Sequence, residues 1–183
     1  MKQGRWMSIA MLMVLLWGCH SEPNRAKRLE QLRQTEAEVL RDLNDTARIR
    51  SLALAYRNLA DEVPTDTANA ALLFKSGLLY RNVPGQGLQA IAHFRLLRQR
   101  YPEHRLGPEA LFNEAMCWEA DVEQRKPAAE AYSEFLNRYP DHALIPVVRE
   151  QLDLLQKDED PLETIRRFER EAAEKGPGVE ASR

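Results

Sequence analysis

Four histidines and two cysteines are the residues of this 183-residue chain best suited to chemistry, and their spacing limits what they can do. A zinc site needs about four ligands converging on one ion, and no H-x-x-x-H, C-x-x-C or H-E-x-x-H spacing occurs. His104 and His142 close the equivalent stretches Tyr101-Pro102-Glu103-His104 and Tyr139-Pro140-Asp141-His142, so they read as recurring turn residues rather than as a catalytic pair. No G-x-S-x-G is present, and Pro84-Gly85-Gln86-Gly87 has too few glycines to cradle a phosphate; it reads as a turn. Cys117 lies inside an apolar helical pattern and reads as a buried small hydrophobe. Neither catalysis, a metal nor a cofactor is expected. Cys19 is different, because it ends a greasy run.

Lys2 and Arg5 precede an apolar stretch from Ile9 to Trp17 with no acidic residue, the order of a secretory signal. The stretch is shorter than the roughly 20 apolar residues that a membrane-spanning helix needs. Leu16-Trp17-Gly18-Cys19 resembles the lipobox of bacterial lipoproteins, with Trp17 bulkier than the usual occupant of its slot. That resemblance implies cleavage after Gly18, diacylglycerol on the Cys19 sulfur, and a further fatty acid on the new amino group. Acyl chains contribute about 0.8 kcal/mol per buried CH₂, enough for stable anchoring when two or more are present. His20 and Ser21 follow, with no Asp beside the cysteine. The resemblance then implies the outer membrane, periplasmic side, with the inner membrane as the alternative.

Removal of residues 1–18 leaves a chain of one-domain size. Without Lys2 and Arg5, 24 basic residues face 28 acidic ones, a formal net of −4. Nucleic acid would want a basic surface, and a pI near 6.1 argues against it. Ala, Leu, Glu, Arg and Gln, all good helix formers, dominate, and no strand-like alternation appears. The expectation is an all-α chain.

Laid against itself, the chain repeats at 38 residues. Pro64, Pro102 and Pro140 coincide, as do Tyr56, Phe94 and Tyr132, and Leu59, Leu97 and Phe135. Gly77 falls on Ala115, and Tyr80 on Trp118. Each period holds two amphipathic segments, such as 106–121 and 126–139, so the unit is a helical hairpin. Residues 25–44 set Leu29, Leu32, Val39, Leu40 and Leu43 near one face of a leading helix. Asp160-Pro161 starts a last helix with Leu162, Ile165, Phe168 and Ala172 as its stripe, a cap for the array. Asn44-Asp45-Thr46 reads as a helix N-cap.

These positions resemble the tetratricopeptide repeat. One unit would be Leu73, Gly77, Tyr80, Ala90, Phe94, Leu97 and Pro102; the next Leu111, Ala115, Trp118, Ala128, Tyr132, Phe135 and Pro140. The usual unit has about 34 residues, and the surplus is expected mostly in the turns. The resemblance implies a short right-handed superhelix of hairpins, with a leading helix and a C-terminal capping helix. Together with the lipobox resemblance, it gives an expected division into a signal peptide at 1–18, a flexible tether at 19–25, a helical domain at 26–174 and a disordered tail at 175–183.

The resemblance also implies a groove lined by first helices. Carried over, its positions are Ala71, Phe74, Leu78 and Arg81, then Glu109, Phe112, Met116 and Glu119. Phe74, Leu78, Phe112 and Met116 would form an apolar stripe, either open to a partner or covered by the flanking helices. Arg95, Arg98, Arg100 and Arg105 read as a solvated face paired with acids such as Glu103 rather than as a strip for an acidic partner. "RYPEH…GPEALFNEA" and "AYSEFLNRYPDH" resemble both the BamD-type lipoprotein of the barrel-assembly machine and the YbgF-type protein of the Tol–Pal system, and select neither. The implied role is an adaptor that holds an envelope protein, with no nucleic acid among its partners. A self-associating envelope protein, a homodimer joined through the same stripe, is the alternative.

Overall fold

The computed structural model describes residues 22–157 and 169–170. Among the described residues there is no strand, and no helix is long and apolar enough to cross a membrane. The helices are α1 (Glu22–Val39), α2 (Thr46–Asp61), α3 (Asn69–Arg81), α4 (Gly87–Arg100), α5 (Gly107–Met116), α6 (Arg125–Arg138) and α7 (Ile145–Lys157). The chain is all-α, a short superhelix of antiparallel hairpins. Its helix starts keep the sequence period: α3, α5 and α7 begin at 69, 107 and 145, and α4 and α6 at 87 and 125.

Each hairpin closes where the sequence places its smallest residues. A Cβ on Gly77 would stand 2.6 Å from the Phe94 ring, so α3 and α4 approach that closely only because the side chain is missing. Ala115 has no exposed surface and packs in one cluster with Leu111, Ala128, Tyr132 and Phe135. Tyr80 and Trp118 are half-buried rather than sealed between hairpins. Tyr80 stacks on His93 at 5.0 Å, and the Arg95 guanidinium covers Trp118 at 5.3 Å.

The surplus over a 34-residue unit is housed differently in the two hairpins. In the first, α3 has 13 residues and a turn over 82–86 follows, with Gly85 at φ +73°. Only glycine adopts that angle without strain. In the second, the 10 residues of α5 run on into a five-residue π-turn, Cys117–Asp121, so the turn to α6 shrinks to 122–124. The Val122 N–H donates to the Cys117 carbonyl at 3.0 Å, a wider loop than an α-helix makes. Helix and turn lengths compensate, and the period survives.

Two sequence expectations at the N-terminal side are corrected. The tether expected over 19–25 gives way to helix at Glu22, because the chain is tied down there. Arg25 donates to Asn69 Oδ1, and Arg28 grips Glu62 with contacts of 2.5 and 2.6 Å. The leading helix stops at Val39, so Leu40 and Leu43 leave its stripe and stand exposed near the next turn. Asp45 caps α2 as expected, its carboxylate accepting the Arg48 N–H at 2.9 Å. Cys19 lies outside the described residues, as does the expected last helix apart from Glu169 and Arg170, which are helical.

Candidate binding surface

The three turns that lead from one hairpin to the next are built alike. Asp66 Oδ1 accepts the Ala68 N–H at 2.9 Å, His104 Nδ1 accepts that of Leu106 at 3.1 Å, and His142 Nδ1 accepts that of Leu144 at 3.2 Å. Positions 66, 104 and 142 are one repeat position, and a short side chain with an acceptor closes the turn at each. The histidines are turn acceptors, which accounts for their spacing without catalysis.

A second repeated position ties each hairpin to the one before. Ser76 on α3 donates to the Ala53 carbonyl of α2 at 2.7 Å. Its counterpart Glu114 on α5 is buried and held by Arg95 and Arg98 of α4, both at 2.6 Å. Arg98 also pairs with Glu134 on α6, and Arg100 with Asp61 on α2. Arg95, Arg98 and Arg100 are thus paired within the fold, with Glu114, Glu134 and Asp61 rather than Glu103 as their acids, and Arg98 is largely buried instead of solvated, whereas Arg105 stands exposed on the turn. Burial works to raise the Asp61 carboxyl, but hydrogen bonds from Arg100 and Arg57 outweigh it and hold the group below the usual range.

The expected groove residues divide into two kinds. Phe74 and Phe112 are half-buried and lean on their own hairpins: Phe74 lies 5.6 Å from Phe94, and Phe112 lies 6.3 and 6.5 Å from Tyr132 and Phe135. Arg81 donates to Asn113 Oδ1 at 2.8 Å, and Glu119 accepts the Tyr132 hydroxyl at 2.7 Å. Burial first, and then that carboxylate, push the Tyr132 hydroxyl well above its ordinary value. Four of the expected positions therefore serve the fold. Leu78 and Met116, half-buried, keep an apolar edge toward solvent.

One more step of 38 residues adds what the sequence reading omitted. Because α7 starts in register at Ile145, Leu154 takes the place of Leu78 and Met116, and Val147 that of Ala71 and Glu109. Leu154 is 51% exposed and Val147 42%. The row Leu78, Met116, Leu154 is apolar at one repeat position on three successive first helices. Extending the period once beyond the second unit would have found it. On α7 the positions that face a second helix in the other hairpins carry Arg149 and Asp153, both exposed, where Leu111 and Ala115 are buried. That face of α7 is polar.

Cys117, the first residue of the π-turn, is fully buried. Burial, with the Asp121 carboxylate beside it, pushes its thiol up to about 12. A thiol held protonated is inert as a nucleophile.

With this geometry in place, residues 109–142 match the tetratricopeptide repeat family. No curated protein matches the chain. The match runs from Glu109 in the first turn of α5 through α6 to His142 in the turn that follows it. The α5–α6 hairpin is a tetratricopeptide repeat, and the α3–α4 hairpin before it keeps the same register.

Proposed function

We propose that this chain is a protein-binding scaffold of the bacterial cell envelope, anchored by acylated Cys19 and engaging a protein partner through its concave face. The observation that carries the reading is the apolar row Leu78–Met116–Leu154, one repeat position kept on three helices in a fold whose relatives are interaction modules. The paired arginines and the turn histidines are engaged within the fold, which supports a scaffold rather than a catalyst. The partner is an envelope protein, and the destination is the outer membrane, periplasmic side. The sequence resemblance to BamD-type and YbgF-type repeats fits this reading and selects neither.

The anchor is tested by fatty-acid labelling in a bacterial host. Wild-type protein takes up label and sediments with membranes, whereas Cys19→Ser does neither; label on the variant, or none on wild type, refutes the anchor. The surface is tested by Met116→Glu, which leaves helicity and the melting temperature nearly unchanged and abolishes partner capture. Phe112→Glu behaves differently, because it places a charge against Tyr132 and Phe135 and destabilises the domain. A second reading, a homodimer, is favoured by the exposure of Val147 and Leu154 at the end of the array. Light scattering on protein lacking residues 1–19 separates the two, since a dimer doubles the mass.

A further inference from the structure

Successive helices alternate in direction, so the turns of the superhelix gather along two opposite edges. The turns over 62–68, 101–106 and 139–144 share one edge. The Tyr101 hydroxyl donates to the Pro64 carbonyl at 2.8 Å, Arg100 pairs with Asp61, and His142 lies 3.9 Å from Glu109. The start of α1 belongs to this edge too, through Arg25 with Asn69 and Asp66 and Arg28 with Glu62. The turns over 40–45, 82–86 and 122–124 lie on the other edge. A Cβ on Gly87 would stand 2.6 Å from Asp121 Cβ, which puts the last two of these side by side.

Only residues 20 and 21 separate Cys19 from Glu22, the first residue of α1, a distance of three residue steps. Fully extended, three residues span about 10 Å. We infer that the edge formed by turns 62–68, 101–106 and 139–144 rests on the bilayer surface, with the opposite edge turned away from it. This rests on the anchor proposed above. A domain held at one corner by a tether of that length keeps that corner within about 10 Å of the headgroups, and α1 is pinned to its neighbours by Arg25 and Arg28, so this edge, and not the opposite one, is the one held at the surface. Val63 stands exposed among Pro64, Thr65 and Thr67 there, beside a cleft of 600 Å³ that runs to Pro102 and Arg105. The edge carries Glu62, Asp66, Glu103 and Asp141 against Arg28, Arg100 and Arg105, so charge does not draw it to anionic lipid and the tether alone holds it there. In this pose the row of first helices runs parallel to the membrane.

The test uses the full chain purified from bacterial membranes and placed in phosphatidylethanolamine–phosphatidylglycerol vesicles that carry a headgroup quencher. A dye is attached to azidophenylalanine at one exposed position, Thr65, Glu103 or Asp141 on the near edge, or Arg41, Asn82 or Gln124 on the far edge. The mass of the N-terminal peptide reads the anchor separately. If Cys19 proves unmodified, the anchor reading fails, and coupling its thiol to a maleimide phospholipid restores the tether so that the edge is still tested. The expected result is quenching at least threefold stronger at all three near-edge positions than at the far-edge ones. Equal quenching on both edges, or stronger quenching on the far edge, overturns the inference.

Discussion

At the scale of single residues, the chemistry-capable side chains have been put to structural use. His93, which no motif singles out, is the clearest case. It is buried against Tyr80, and burial, reinforced by the Arg57 charge, pushes it down to about 4, against the weaker pull of the Gln89 backbone and Asp61. The sign follows from counting protons. Between about pH 6.5 and 4 the unfolded chain binds a proton at this residue and the folded chain does not, so stability falls as pH falls through that window. Urea unfolding should show a loss of about 2 kcal/mol from pH 7 to pH 5, and His93→Phe should remove most of that slope. An unchanged slope in the variant contradicts the assignment. Glu114 gives a second test. Its removal in Glu114→Ala leaves Arg98 buried with one partner fewer, and breaking such a pair costs about 3 kcal/mol. A loss below 1 kcal/mol in denaturant melts would mean that the clamp is ornamental. The roles of His104 and His142 could be read from sequence because they recur. Those of His93 and Glu114 could not, because burial is a property of the assembled hairpins.

At the scale of elements, the repeat was legible because the same physical demand recurs every 38 residues. Gly77 and Ala115 permit close approach, Phe94 and Tyr132 fill the space beyond them, and a proline follows each second helix. The division of the surplus residues was not legible. Nothing in Cys-Trp-Glu-Ala-Asp announces a π-turn, which takes up residues that the first hairpin spends in its turn. The start of α1 was also missed, because its anchoring depends on Arg25 and Arg28 reaching partners 34 or more residues away. Gly77→Ala should cost about 1–3 kcal/mol, since the new Cβ must displace the buried Phe94 ring. Ala115→Leu should cost a similar amount. If either substitution is neutral in thermal melts, the hairpin contact is looser than its geometry states.

At the scale of the whole molecule, three first helices in register produce a surface that no one hairpin contains. Its most exposed member, Leu154, lies on the helix where the sequence pattern fades, because Arg149 and Asp153 replace the residues that mark a further hairpin. The pattern that reveals a repeat is therefore weakest at the end of the array, and the row was read two-thirds complete. The most direct test of the scaffold account is photo-crosslinking in the living bacterium, with benzoylphenylalanine at Met116, at Leu154, or at Leu88, which is exposed on the second helix α4. The account predicts the same adduct of higher mass from positions 116 and 154 and none from 88. Adducts from 88 alone would contradict it.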